Sequence, residues 1–450
     1  MNDKSAAGTN GALSNGTSDN IRWEIQSPDT SSGVFSLLIR QGNDNNTSKV
    51  VLETYMNISL DPKASNYISR AVGDITTTIK IDSDGTPYTQ VEGSYPNISK
   101  FVRVKTVNNK TPDYFDNNGI AKSQYTASIP VAGSGSEDGA FSGADGVLVG
   151  GAMNMYENIT DTNSQGLVAD DYTQSISLLS NKDDYVYNVI SAPGLIYSGD
   201  MVSPLNSIVN NARNRGDNIA VLDMAVYDSS INGIVSTAAS IDNSYGATYW
   251  PWCQITDPDS GDLVWVPSST LIPGVYAYND SRSEPWFAPA GINRGGLSTV
   301  ARVERKLTQT NRDTLYTANI NPIATFPNTG VVVFGQKTLQ KKASALDRVN
   351  VRRLLIALKS WISQVADQLV FEQNSIATRN SFLSQVNPYL ESVQQRQGLY
   401  AFKVVMDESN NTPDVIDRNE LIGQIFLQPT KTAEFIILDF NVMPTGATFE

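Results

Sequence analysis

Hydrophobic and polar positions change rhythm twice along the 450-residue chain. Residues 1–20 are rich in Gly, Asn, Ser and Thr, bury too little surface to order themselves and read as a flexible lead-in. From Ile21 the pattern is that of strands. Across Val34–Arg40, Phe35, Leu37 and Ile39 alternate with Ser36, Leu38 and Arg40, the period of two expected of a strand. Gly42–Thr47 supplies a turn and Val50–Met56 a second strand, so the two read as a hairpin with a long loop. Short apolar runs follow at Ile75–Ile81 and Lys100–Val107. The Gly/Ser-rich stretch Gly133–Gly151 then breaks the pattern and marks a boundary within 125–165.

From Tyr185 strands alternate with a helix. Tyr185–Ala192 is β-rich and ends at Pro193-Gly194. In Ser203–Arg215, Leu205, Ile208, Val209 and Ala212 recur at helical spacing. Ser203-Pro204 reads as an N-cap followed by a first-turn proline, and Gly216 as the stop. Ile219–Val226 is apolar apart from Asp223, as in a strand buried on both faces. Gly246–Ile255 is another strand and Val331–Phe334 closes the unit. Strand, helix, strand in this order predicts a βαβ unit and a partly parallel sheet. The last third differs again. Leu355, Leu358, Ile362, Val365 and Leu369 line one face of a helix over Arg352–Leu369. Phe382, Leu383, Val386, Leu390 and Val393 predict a second, kinked or broken at Pro388. Strands at Leu399–Met406, Leu421–Gln428 and Ala433–Val442 follow.

Composition removes whole classes of chemistry. The chain has no histidine and one cysteine, Cys253, so a Ser-His-Asp or Cys-His arrangement, a His/Cys zinc site and an intrachain disulfide are all excluded. A net charge of −13 makes nucleic acid and anionic membranes poor partners. The N-terminus has no apolar core of a secretory signal, and no apolar run approaches the ~18–20 residues of a membrane span.

Candidate motifs mostly reduce to structure. Gly133–Gly151 contains no lysine and lacks the Gly-Lys-Ser/Thr ending of a phosphate loop. Asp82–Gly85 and Asp257–Asp262 lack the ligand set of a calcium loop and read as Asx-rich turns. Cys253, among Trp250, Pro251 and Trp252, reads as a buried structural thiol. No pair among the acidic residues is marked out by its context for acid–base work. No cofactor or metal is expected.

The charge is uneven. Lys337, Lys341, Lys342, Arg348, Arg352, Arg353 and Lys359 face a single acid, Asp347, between residues 336 and 360; this local +6 leaves −19 for the rest of the chain. Such a segment reads either as a solvated helix face or as an electrostatic contact with an acidic partner.

Three strings carry a family resemblance. Trp286-Phe-Ala-Pro-Ala-Gly-Ile-Asn-Arg-Gly295 resembles the aromatic-Ala-Pro-Ala-Gly…Arg-Gly signature of contractile phage tail sheath proteins. Asp347-Arg-Val-Asn-Val-Arg-Arg-Leu354 is similar to the segment opening their C-terminal domain, and Pro429–Phe440 to their closing strand. Leu60-Asp-Pro and Asn66-Tyr-Ile68 resemble the insertion domain of the long, myovirus-type subunits. The resemblance implies a multidomain α/β plus α+β fold. A β-rich protruding domain at 21–125 is joined by a connection at 126–165 to a subtilisin-like α/β domain at 166–335, which lacks that fold's catalytic residues. A C-terminal α+β domain, two helices and then strands, occupies 336–450.

The signature residues Trp286, Phe287, Pro289, Gly291, Arg294 and Gly295 are expected to be structural, with the two aromatics anchoring a loop in a core. The basic residues are expected to face a tail tube or a neighbouring copy. Glu434, Phe435, Ile436, Ile437, Leu438 and Phe440 are expected to complete a sheet in a neighbour. The implied function is non-enzymatic: a virion subunit assembled in the host cytoplasm that polymerises helically around the tube and contracts to drive it through the host envelope. Its implied partners are further copies of itself, the tail tube protein, the baseplate and the tail terminator, with neither nucleic acid nor membrane insertion. Members usually open with an N-terminal arm; here Met1 leads into the polar stretch, the pattern expected where the arm and first segment are lacking. Two alternatives stand beside this reading: a hydrolase using carboxylates alone, and an adhesin or baseplate component whose region 21–125 binds a glycan through Tyr88 and Tyr95.

Overall fold

The computed structural model describes residues 21–42, 44, 46–135, 156, 159–162, 164, 167, 169–258 and 261–434. The lead-in 1–20, much of the Gly/Ser-rich connection, and Phe435, Ile436, Ile437, Leu438 and Phe440 lie outside the described residues.

Strands β1 (Ile21–Asp29), β2 (Val34–Gln41) and β3 (Val51–Ser59) form an antiparallel meander. Helix α1 (Ile68–Val72), the hairpin of β4 (Thr76–Ile81) and β5 (Pro87–Glu92), and α2 (Ser123–Thr126) follow. Lys100–Val107 forms no strand. Strand β6 (Gly133–Gly135), which sequence alone places in the connection, returns to pair with β1 and completes a four-stranded sheet. Phe35, Ile58 and Leu60 form the core of one face.

The other face departs from the expected alternation. Arg40 was expected on a polar face, yet its side chain is fully buried, bonded through Nε to Asp44 at 2.7 Å and through Nη1 to Glu24 at 2.6 Å. Arg22, also buried, joins the same Asp44, and Lys49 reaches Glu24 at 2.7 Å. Strand β2 is covered on both sides, so a charge there is tolerated only because it is paired.

Helix α3 (Ala169–Leu178) lies against the β4–β5 hairpin and the next helix. Then come β7 (Val189–Ile196), α4 (Val202–Arg215), β8 (Ile219–Asp223), α5 (Ile231–Ala238) and β9 (Gly246–Trp250). Strands β7, β8 and β9 are parallel neighbours, as the strand-helix-strand pattern predicts. Three details differ from the sequence reading. Strand β7 runs through Pro193-Gly194 with a register shift. Helix α4 begins at Val202, ahead of Ser203, with no side-chain cap; a preceding 3₁₀ turn carries Met201 into the core. Its stop is as read, with Gly216 left-handed at φ 72°. The strand expected over Gly246–Ile255 divides at Pro251; β10 (Cys253–Thr256) leaves for a small second sheet with β11 (Leu263–Val266) and β12 (Val300–Val303). Helices α6 (Ile272–Arg282) and α7 (Gln309–Thr317) flank this sheet in sequence. Strands β13 (Asn321–Phe326) and β14 (Gly330–Val333) complete the larger sheet in the order β14-β13-β9-β8-β7, with only β14 antiparallel.

Every residue of β8 is buried, including Asp223 at its carboxyl end. Its carboxylate accepts hydrogen bonds from the Ser269 hydroxyl and backbone N–H, the Ser268 hydroxyl and the Gly194 N–H. Burial nonetheless pushes its pKa from 3.8 up to about 6. The folded state holds this proton more tightly than the unfolded chain, so its contribution is present below pH ~4 and is lost as pH rises to ~6. Relative to Asp223→Asn, the denaturant midpoint of the native protein is expected to fall across that window. Parallel pH profiles for the two proteins would contradict the assignment. Ser268 and Ser269 are themselves buried, so this Asp–Ser cluster ties β7 and β8 to the 3₁₀ turn at Ser268–Thr270.

The C-terminal part contains α8 (Val349–Asp367), α9 (Ile376–Gln395), β15 (Leu399–Val405), α10 (Pro413–Asp417) and β16 (Gln424–Pro429), with β15 and β16 antiparallel. Helix α9 continues unbroken past Pro388, its face of Phe382, Val386, Leu390 and Val393 held in a core. Helix α8 serves two cores. Val349 and Ile356 pack on the larger sheet's face with Ile219, Val221 and Tyr249, whereas Leu354, Leu358 and Val365 pack against α9. The two domains therefore share a helix.

Candidate functional site

The signature string leaves the end of α6 and crosses this junction. Trp286 is buried among α8 and α9 residues. Its Nε1–H donates to the Arg396 carbonyl at 2.9 Å, and its own carbonyl accepts from Asn350 Nδ2 at 3.2 Å. The Arg396 guanidinium lies 5.2 Å from the Trp286 ring centroid and pairs with Glu284 at 2.6 Å. Asn279 on α6 donates to the carbonyls of Glu284 and Phe287, and Arg294 packs over the Phe287 ring while bonding the Ala288 carbonyl. Pro289 is buried. The string thus joins α6 of the middle domain to both helices of the C-terminal one. Arg396 and Asn279 carried no signal in the sequence reading; Asn350 stands within the Asn-Val-Arg-Arg string.

The second half of the string runs along β14. The Gly291 N–H donates to the Val333 carbonyl and the Val333 N–H to the Gly295 carbonyl, both at 2.8 Å. Gly295 has no room for a side chain: a Cβ there would stand 2.7 Å from the Val333 oxygen and 2.9 Å from Ala290 Cα. These are backbone atoms, so Gly295→Ala is expected to destabilise by ~1–3 kcal/mol. An unchanged denaturation midpoint would contradict this packing.

The basic segment does not act as one surface. Arg352 and Arg353 are buried, contrary to the expected outward contact. The Arg352 guanidinium stacks 3.9 Å from the Tyr245 ring centroid and bonds Ser244. Arg353 stacks 4.6 Å from the Tyr276 ring centroid and pairs with Asp280 at 2.6 Å. Both bind α8 to the middle domain through cation–π and ionic contacts within the chain. Lys337 is half-buried over Tyr316, and burial lowers its pKa. Lys341, Lys342 and Lys359 are exposed. Lys341 also bonds the Ala239 carbonyl.

Two sets of residues read separately in the sequence meet each other. Arg348, from the basic segment, binds Glu434, from the closing string, through Nε at 2.6 Å and Nη2 at 2.9 Å. Gln336 donates to Glu434 and Thr432, and Tyr316 also bonds Glu434. The chain leaving β16 is therefore held at Glu434, beside a cleft of about 610 Å³ walled by residues 343–351 and 429–434. Among the described residues no group of acidic or cysteine side chains is arranged to hold a metal ion. Asp84 instead accepts from the Thr86 N–H in an Asx turn.

The phage tail sheath protein central domain matches residues 165–339, and the phage tail sheath C-terminal domain matches residues 341–443, together more than half of the chain. The tail sheath protein of Vibrio phage KVP40 is 42% identical over 216 residues, 48% of this chain and 31% of that one. That of Enterobacteria phage T4 is 37% identical over 223 residues, 50% of this chain and 33% of the relative. The matched part is thus about a third of either relative's length. Among solved structures, the PVC sheath complex of an extracellular contractile injection system in its contracted state matches 59% of this chain and 74% of its own, at 26% identity and a TM-score of 0.50. The larger sheet, the Trp286 junction and the Glu434 anchor all fall within the matched residues, and the chain belongs to the phage tail sheath family.

Proposed function

We propose that the chain is a structural subunit of a contractile tail sheath, stacking in many copies around a tail tube and shortening to drive that tube through a host envelope. The observation that carries the reading is the junction. Trp286, Arg353 and the shared helix α8 bind the two family domains into one body, which suits a subunit that must transmit force. The names of the relatives support the same reading. The middle domain carries a subtilisin-like topology, and with no histidine in the chain it has no triad to go with it. No described helix is long and apolar enough to cross a membrane.

A heterologous contact that does not close produces a helical stack. The partners are other copies, the tube, the baseplate and the terminator, in a virion assembled in the host cytoplasm. The apolar sequence Phe435–Phe440, which follows the Glu434 anchor, is the candidate for strand addition to a neighbour. Lys341, Lys342 and Lys359 are the candidates for charge contact with the tube or an acidic copy. Negative-stain microscopy of the chain with isolated tail tubes tests this: striated sheaths are expected, and bare tubes beside monomeric protein would overturn it. Reversing all three lysines to glutamate is expected to weaken tube binding ~10-fold or more at low salt and less at 1 M, where exposed charges are screened. A loss equal at both salts would contradict the electrostatic role.

A further inference from the structure

The apolar string Phe435–Phe440 follows β16 after only five residues, Thr430–Glu434. Loops of about two to five residues are the ones that close β-hairpins. String and strand are also equal in length, six residues each. Among the described residues β16 pairs with β15 alone, so its other edge is open. Chain connectivity therefore favours folding the string back onto β16 of its own chain. So short a tether gives self-pairing an effective concentration on the order of millimolar, which favours it over pairing with a separate chain.

The structure opposes that hairpin. Thr430–Glu434 contains neither a turn nor a bend. Thr430 still lies beside β15, its N–H bonded to the Gly398 carbonyl at 3.2 Å and its hydroxyl to the Gln397 carbonyl at 2.6 Å. From there the strap crosses to a platform between β14 and α8. Gln336 Nε2 donates to Thr432 Oγ1 at 2.6 Å, and Arg348 binds both carboxylate oxygens of Glu434. The backbone fixes this platform. Lys337 and Arg348 form an antiparallel bridge, flanked by bonds from the Val349 N–H to the Gln336 carbonyl and from the Thr338 N–H to the Asp347 carbonyl. Two N–H···O bonds from one guanidinium set direction as well as strength, and the Glu434 side chain is only 16% exposed. The strap walls the cleft of about 610 Å³ beside it, so its ends rather than its packing hold it in place.

We infer that the Arg348–Glu434 clamp is a guard against self-pairing. It directs the closing string away from β16 of its own chain and leaves string and strand edge available to other chains. The clamp acts within one chain; its consequence for assembly rests on the strand addition proposed above.

Hydrogen exchange of the chain free in solution tests the clamp. Glu434→Ala leaves the neutral Gln336–Thr432 bond alone to hold the strap. It is expected to slow amide exchange across Gln424–Gln428 and residues 435–440 by ~10-fold or more relative to the native chain. Arg348→Ala is expected to do the same. Adding Ile437→Pro to Glu434→Ala, which removes a ladder donor from the string, should return β16 to its native exchange rate. Equal exchange in the native and Glu434→Ala chains, or protection that survives Ile437→Pro, would overturn the inference. With tail tubes present, Glu434→Ala is expected to raise the concentration needed for striated sheaths by ~10-fold or more, because the string is already occupied. Sheaths forming at the native concentration from a self-paired variant would leave the clamp standing and overturn its role in assembly. A native chain that exchanges as expected yet forms no sheaths would uphold the clamp and overturn the sheath reading.

Discussion

Trp286→Ala is expected to cost ~3–5 kcal/mol and to uncouple the two family domains, the largest single effect at the junction. The indole fills space between α8 and α9, and its N–H satisfies the Arg396 carbonyl. Truncation leaves a cavity, removes that bond and takes away the ring on which Arg396 lies. Because Asn350 bonds the Trp286 carbonyl, the loop backbone also loses its seat against α8. Denaturant unfolding should change from one shared transition of these domains to two, the C-terminal one first. Trp286→Phe keeps most of the ring and loses only the donor, so ~1 kcal/mol is expected there. A single unshifted transition in the alanine variant would show that Trp286 is not what joins the domains.

Arg40→Ala should unfold the β-rich domain selectively. Removing Arg40 takes away the guanidinium that bridges the two buried acids and their closest bonds, at ~3–5 kcal/mol. Here Glu24 and Asp44 would remain beneath β2 with Arg22 and Lys49 as their partners. For a domain of this size the loss corresponds to a fall of ~15–30 °C in its melting transition, read by calorimetry, with the other transition unmoved. A shift of the whole profile instead would mean that the β-rich unit unfolds together with the rest.

These two sites differ in how far the sequence revealed them. The string around Trp286 announces itself, since two aromatics, a proline and closely spaced glycines have few uses outside an anchored loop. Its partner Arg396 stands 110 residues away, and no local pattern connects them. Alternation places Arg40 on a polar face because it describes a sheet with one wet face, whereas β2 is covered on both. The same reason explains the basic segment. Counting charges locates +6 between residues 336 and 360 but does not show that Arg352 and Arg353 find Tyr245, Tyr276 and Asp280 about 70 to 110 residues earlier in the chain. Where burial follows from the residues themselves, the reading was closer. The apolar run from Ile219, interrupted only by Asp223, forms the buried strand β8, and Gly216 stops α4 because it takes the left-handed turn without strain. The double duty of α8 lay in its two apolar stripes, of which the periodicity reading followed only one.

Bound by Trp286, Arg353 and α8, the middle and C-terminal domains are expected to move as one body when a sheath shortens. Cryo-electron microscopy of the chain assembled on tail tubes, before and after contraction, tests this most directly. The Trp286–Arg396 bond and the Arg353–Asp280 pair should be unchanged between the two states while contacts between copies rearrange. A junction that opens or rotates on contraction, with the contacts between copies preserved, would contradict it.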